Sequence, residues 1–269
     1  MRCCVGVDPF VIVITAVLGL CMGSFLNVCI ARLWHENPEQ RSLLRPPSTC
    51  PHCKQRIVWR DNIPLVSWLW LRGKCRWCHK SISIQYPIIE ASVGLLWVVA
   101  LLYYGFTMRA LAAAIFGTIL LGIGVIDARH KIIPDELSVS GLVLGLALSL
   151  GAGLPGFLQA LLGAAVGWSV LWSVRELGGL ILRQEAMGWG DIKMLAMVGA
   201  FVGWKNALLT IFVGAIIGTA FYLPLMIWSM RKWRRYELPF GVFLAIAAAV
   251  TFVFGDTMIS WYLDFLKSR

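Results

Sequence analysis

The sequence predicts an all-α polytopic membrane protein with about eight transmembrane helices and one long polar loop, on three observations. Apolar residues make up 59% of the 269, and Asp, Glu, Lys and Arg together only 14%, where a soluble domain averages about 25% charged. The mean hydropathy is +0.76. Apolar runs recur along the chain at lengths suited to a hydrocarbon core of about 30 Å, at about 1.5 Å of helix per residue. Disorder, collagen and coiled coil are excluded by this composition.

The first run, 10–30, carries no charge. It is too long for a signal-peptide core, its leading segment is barely basic, and no small-residue cleavage site follows it, so it is expected to be a retained span. Further runs lie at 88–104, 111–126, 137–151, 157–174, 192–204, 207–230 and 240–263. The run 192–204 is the weakest, because it covers only about two thirds of a bilayer.

The 24 Lys and Arg exceed the 14 Asp and Glu by ten. Such a surplus can signal nucleic acid, but here the cations sit between apolar runs with no stripe of Arg and aromatics, so nucleic acid is not an expected partner. Their placement reads as topology. With 31–87 inside, 19 of the 24 cations fall on the inner side, a strong positive-inside bias that puts both termini outside. A crossing at 192–204 keeps the cluster Arg231–Arg235 inside, which favours eight spans.

The loop 31–87 holds Cys50-Pro-His-Cys53 and Cys75-Arg-Trp-Cys78. Two such knuckles can set four thiolates tetrahedrally around one Zn²⁺, because a two-residue spacer lets both sulfurs of a pair face the metal. The loop is assigned to the reducing side, which disfavours disulfides. A four-thiolate site is closed, so the metal is expected to be structural. His52 and His79 lie beside the knuckles and are not needed as ligands. Of the other cysteines, Cys3, Cys4, Cys21 and Cys29, the last two fall in the first span, where free Cys acts as a small hydrophobe.

Asp127 closes the third span and Asp191 opens the sixth, in Gly188-Trp-Gly190-Asp191. Two crossings separate them, so both return to the inner face. A carboxylate in or beside a span is costly and asks for a reason. One alone could be a helix cap. Two at about 4 Å repel by roughly 4 kcal/mol at an effective dielectric near 20, so one stays protonated while the other ionises. Such a pair supplies a general base for water and a general acid for the carbonyl or leaving amine. No Gly-x-Ser-x-Gly elbow or His-Glu-x-x-His competes. Gly188 and Gly190, without Cβ, would let an extended backbone approach the carboxylate and let the chain turn sharply into the helix.

Other charges have two readings each. Lys193 either supports Asp191 electrostatically or snorkels to headgroups. Asp135 and Glu136 follow Pro134 and read as the cap of the fourth span. Glu90, just inside the second span, is either functional or paired with a loop cation. Asp256 and Asp264 read as solvated.

These residues resemble the type IV prepilin peptidase family, inner-membrane aspartyl enzymes of the Gly-x-Gly-Asp class. The likeness runs through Gly23-Ser-Phe-Leu-Asn-Val28, the two knuckles, Trp59-Arg-Asp-Asn-Ile-Pro-Leu-Val-Ser-Trp68, Arg72-Gly-Lys-Cys75 and Tyr86-Pro-Ile-Ile-Glu90. It continues through Ile126-Asp127, Pro134-Asp135, Glu185-Ala-Met-Gly-Trp-Gly-Asp-Ile-Lys193 and Pro239-Phe-Gly241. Two departures are Val242 where the family often has Pro, and Gln85 where it often has Arg.

The resemblance implies that Asp127 and Asp191 form a catalytic dyad at the cytoplasmic face, supported by Gly188, Gly190 and Lys193. It implies removal of the short basic leader of a prepilin or pseudopilin. It further implies methylation of the new N-terminal residue with S-adenosylmethionine, at residues the sequence does not identify. The expected organisation is a first transmembrane helix at 1–30, a cytoplasmic loop with Zn²⁺ on Cys50, Cys53, Cys75 and Cys78 at 31–87, and a seven-helix membrane peptidase domain at 88–269.

Two other classes remain open. A transporter could relay protons through paired Asp, although no internal repeat is visible. A methyltransferase or scaffold without protease activity could present the zinc loop, although no Gly-x-Gly-x-x-Gly follows a strand.

Overall fold

The computed structural model describes residues 7–43, 45, 47–183, 187–228 and 239–268. Cys3, Cys4, Glu185 and the cluster Arg231–Arg235 lie outside the described residues. The elements are helical: α1 (Pro9–Arg32), α2 (Pro38–Arg41), a 3₁₀ turn (Trp59–Asn62), α3 (Val66–Trp70), α4 (Gln85–Tyr104), α5 (Met108–His130) and α6 (Asp135–Ser149), followed by α7 (Gly153–Leu182), α8 (Trp189–Trp228) and α9 (Phe240–Lys267). Helices suit lipid because every backbone hydrogen bond closes within the segment.

Among the described residues six stretches are long and apolar enough to cross a membrane: Pro9–Arg32, Gln85–Tyr104, Met108–His130, Asp135–Ile181, Trp189–Pro224 and Phe240–Lys267. The fourth and fifth expected spans fall in one stretch of 47 residues, and the sixth and seventh in another of 36. Each long stretch is interrupted by a glycine at positive φ: Gly153 at 76°, where α7 begins, and Gly203 at 78° inside α8. Glycine tolerates that conformation because it has no Cβ.

The chain divides into two compact units, Met1–Thr118 and Ile119–Arg269. In the first, Asp8 caps α1 by accepting the Phe10 N–H at 2.8 Å, and Pro9 occupies the first turn, where its missing N–H costs nothing. α1 and α4 meet through small residues. A Cβ on Gly19 would stand 2.9 Å from the Gly94 Cα, and one on Gly23 would stand 2.7 Å from the Glu90 Cα. Four-residue spacing of small residues is how helices approach closely in lipid. Trp97 donates its indole N–H to the Thr118 hydroxyl at 3.0 Å, satisfying both groups in an apolar setting.

The second unit is organised on α8, which packs against α6, α7 and α9. Its first half is buried on nearly every side: Ile192, Met194, Leu195, Met197 and Val198 are inaccessible. This explains why the run 192–204 is short for a lipid-exposed span yet apolar, since its partners are protein. A Cβ on Gly199 would sit 2.1 Å from the Gly163 carbonyl oxygen, so the α7–α8 crossing is backbone to backbone. α8 and α9 are joined by the Thr210 and Thr251 hydroxyls at 2.6 Å and by the Asn206 amide donating to Asp256 at 2.9 Å. Asp256, expected to be merely solvated, has a partner.

Candidate active site and metal centre

The loop of the first unit folds its two Cys pairs alike. The Cys50 N–H donates to the Gln55 carbonyl and the Cys75 N–H to the Lys80 carbonyl, each at 2.9 Å. The turns close with the Lys54 N–H on Cys50 and the His79 N–H on Cys75, and both turn residues have positive φ, 60° and 56°. Each hairpin is held by one bridge, Thr49 with Arg56 and Lys74 with Ser81.

This repetition brings one ligand atom from each of Cys50, Cys53, Cys75 and Cys78 within 4.8 Å of one another. The Cys50 and Cys78 sulfurs are 3.9 Å apart. The edge of a tetrahedron with metal–sulfur bonds of about 2.3 Å is about 3.8 Å, whereas a disulfide requires about 2.05 Å. All four thiols are free, so the donor set fits a tetrahedral thiophilic ion. His79 serves as a turn residue, and neither it nor His52 belongs to the cluster.

Electrostatics within the cluster are uneven. The Cys53 N–H directed at the Cys50 sulfur outweighs the effect of burial and, with the His52 N–H, pulls Cys50 down to about 6. Cys53 is pushed up to about 11: the Gln55 N–H acts to lower it, but burial and the neighbouring thiols prevail. Beside the second knuckle, Arg76 grips Asp61 with two N–H groups, Nε on Oδ2 at 2.8 Å and Nη2 on Oδ1. This hydrogen bonding holds the Asp61 carboxyl below its ordinary range.

Glu90 is buried in α4. It accepts the Leu65 N–H at 2.8 Å and a hydrogen bond from Ser24. The partners observed are therefore a loop amide and a helix hydroxyl, in place of the loop cation that sequence suggests. Leu65 has φ 60° and ψ −49°, and the Val66 N–H closes a tight turn on the Pro64 carbonyl at 2.6 Å. Such a conformation is strained for leucine and persists only when its surroundings hold it.

In the second unit, Asp127 lies near the C-terminal end of α5 and is only 4% exposed. Asp191 lies in the first turn of α8. The two are near enough for their charges to interact. Asp127 Oδ2 accepts the Val242 N–H at 3.0 Å, and the Gly241 N–H is directed at the same carboxylate. Asp191 Oδ1 is buried with no hydrogen-bond partner, so this oxygen does not cap α8. A buried carboxylate oxygen without a protein donor is costly unless a water or substrate group meets it.

The glycines of the motif have different roles. A Cβ on Gly190 would lie 2.8 Å from the Ile133 Cβ, so this position is filled by the chain itself. A Cβ on Gly188 would meet nothing nearer than Asp191 Oδ2 at 3.4 Å, which leaves that approach open. The turn before α8 is secured from α7: Arg175 donates to the Met187 carbonyl at 2.7 Å, and its guanidinium lies 4.5 Å from the Trp189 ring centre.

Lys193 pairs with Asp135 at 2.6 Å. Asp135 makes no capping bond to α6, whose cap position is Pro134. Tyr222 of α8 also feels the charge of Asp127, with its ring 5.4 Å from that of Phe243. Sequence reasoning attached no role to Gly241, Val242, Arg175 or Tyr222. The Pro239-Phe-Gly241 motif was the available signal for the first two, but backbone donors carry no side-chain signature.

Residues 17–104 match a model of the bacterial peptidase A24 N-terminal domain, and residues 114–223 match a model of the type IV leader peptidase family. The chain is 39% identical to a prepilin leader peptidase/N-methyltransferase of Stutzerimonas stutzeri, with 97% of this chain and 96% of that protein covered. It is 37% identical to the protein of that name from Xanthomonas campestris, with 94% of each covered. It is 36% identical to that of Pseudomonas aeruginosa, with 93% of each covered. No solved structure matches the chain. Identity at this level over almost the whole length places the chain in the type IV leader peptidase family.

Proposed function

We propose that the protein is a bacterial inner-membrane aspartyl endopeptidase that removes the leader from type IV prepilins or pseudopilins and N-methylates the new terminus. The observation that carries this reading is the convergence of Asp127 and Asp191 from α5 and α8, one carboxylate fastened by backbone donors and the other with a buried unpartnered oxygen. The dyad shares one proton. Its ionised member takes a proton from a water molecule as that oxygen attacks the scissile carbonyl carbon. Its protonated member gives its proton to the carbonyl oxygen. The tetrahedral adduct collapses with cleavage of the C–N bond, the amine leaving with a proton returned by the dyad.

The positive-inside bias of the sequence supports a dyad at the cytoplasmic face. There a substrate with a charged leader in water and an apolar stem in lipid presents its junction. The loop 31–87 would hold structural Zn²⁺ on Cys50, Cys53, Cys75 and Cys78, stapling the two hairpins together. The segment 88–269 would form the membrane peptidase domain.

The methylation reading rests on the names of the relatives, and S-adenosylmethionine is the donor implied. The described residues include no strand, hence no Gly-rich strand-to-helix turn of the Rossmann type to hold that cofactor. No residue of the chain is assigned to it.

The test is to incubate the detergent-solubilised protein with a prepilin, with and without S-adenosylmethionine, and weigh the products. Loss of the leader, plus one methyl only when the donor is present, is expected. An intact substrate overturns the peptidase reading.

A further inference from the structure

The segment between α1 and α4 is polar by composition, yet it turns large apolar side chains outward. Trp59, Leu69, Trp70 and Trp77 are 74%, 68%, 81% and 61% exposed. The neighbouring Trp68 behaves differently. A Cβ on Gly73 would meet its ring at 3.0 Å, and its indole N–H points to the Ile82 carbonyl. Consecutive residues of α3 therefore divide, with one indole packed onto the second knuckle and the next two side chains left outside. Val66, one turn before Trp70 and on the same side of α3, is exposed as well.

These groups sit on elements fastened to one another. The 3₁₀ turn carrying Trp59 packs against α3. The two-pronged Arg76–Asp61 pair ties that turn to the knuckle carrying Trp77.

Cations alternate with the indoles along the segment. Lys54, Arg56, Arg60, Arg72, Lys74 and Lys80 are all exposed, and the Arg60 guanidinium lies 5.4 Å from the Trp59 ring centre. Asp61 is the only acidic residue in 50–83, and Arg76 occupies it. Four thiolates on a divalent ion contribute a formal −2. Against seven Lys and Arg and one Asp, the segment keeps a net charge of +4.

Indoles interleaved with Lys and Arg suit the boundary between water and lipid. The rings lie at headgroup depth, and the cations meet the negative surface potential of an anionic leaflet. The segment is already held there, since α1 ends at Arg32 and α4 begins at Gln85, and both are membrane-spanning stretches. An apolar protein partner would match the indoles but would leave the cations unanswered.

We propose that this loop docks Trp59, Leu69, Trp70 and Trp77 onto an anionic lipid surface, with its Lys and Arg against lipid phosphates. The proposal does not depend on the peptidase reading.

The test uses the full-length, zinc-loaded protein in neutral detergent, in nanodiscs of phosphatidylcholine, and in nanodiscs containing phosphatidylglycerol. A pulse of hydroxyl radicals followed by peptide mass spectrometry reads the oxidation of each Trp. Trp59 and Trp70 should oxidise about fivefold more slowly with phosphatidylglycerol than in detergent, and faster again in 1 M NaCl as the charges are screened. The triple variant Arg60→Glu/Arg72→Glu/Lys74→Glu should lose the protection while retaining one zinc per chain. The salt arm stands on the unmodified protein if that variant fails to fold. Equal oxidation in all three media overturns the proposal, as does equal protection by both lipids or insensitivity to salt. Protection already present in detergent would mean a protein contact and also overturns it.

Discussion

The backbone N–H of Val242 donates to Asp127 Oδ2 across 3.0 Å, joining residues 115 positions apart in the chain. Gly241 makes that contact sterically possible, because a Cβ there would stand 2.9 Å from Asp127 Oδ2 and 2.8 Å from the Ile133 Cδ1. Gly241→Ala should push the carboxylate off its donors and lower kcat/KM by about 10²-fold, the scale of a misplaced catalytic group. The variant should still insert and retain zinc. Steady-state cleavage of a prepilin beside zinc analysis checks this, and unchanged cleavage would remove the clamp from the mechanism.

Asp127→Asn and Asp191→Asn each remove an ionisable member of the dyad while keeping shape. Each should abolish cleavage with the protein still inserted and abundant. Residual cleavage in either, measured by product mass, would refute the dyad assignment.

The metal centre should respond to pH with a definite sign. Metal binding expels thiol protons, so acidification weakens retention. Hydrogen bonding from the Cys53 and His52 N–H groups holds Cys50 down to about 6, while burial and the neighbouring thiols push Cys53 up to about 11. Asp61 is lowered by Arg76, so its support of the knuckle is present above the ordinary carboxylate range and fades as pH falls below it. Asp61→Asn should therefore release zinc to a chelator faster at pH 6 to 8. A chromophoric chelator follows the release, and identical rates would separate the ion pair from the metal site.

The Lys193–Asp135 pair is partly exposed, with 28% and 56% of the two side chains accessible. Screening limits such pairs to roughly 0.5 kcal/mol. A double-mutant cycle with Lys193→Met and Asp135→Asn, followed by thermal melting, should give a coupling of that size. A coupling above about 2 kcal/mol would mark a buried role that its exposure contradicts.

The α7–α8 crossing tolerates nothing larger than hydrogen at Gly199, where a Cβ would fall 2.1 Å from the Gly163 carbonyl oxygen. Gly199→Ala should cost about 3 kcal/mol or more, at the upper end of overpacking penalties. A lowered melting temperature in detergent is the readout, with Gly124→Ala as the control, a helical glycine where a Cβ would meet nothing nearer than the Ala245 Cβ at 3.9 Å.

Hydropathy, charge placement and spacing established the helical membrane class, the loop between the first two spans and the four cysteines. These are local quantities: a transfer free energy summed over some twenty residues, or a two-residue spacer between thiols, is written in the order of the amino acids. The two Asp could be singled out for the same reason, as charges that lipid would expel. Tertiary structure alone decided their surroundings. Asp135 took Lys193, Glu90 took the Leu65 amide, Ile133 filled the space at Gly190, and Asp127 took main-chain donors from α9. Backbone N–H groups are the same at every residue except proline, so which amide meets which carboxylate is set by how helices cross. It is likewise the crossing through α8, and not the hydropathy of 192–204, that shows that run to be packed in protein.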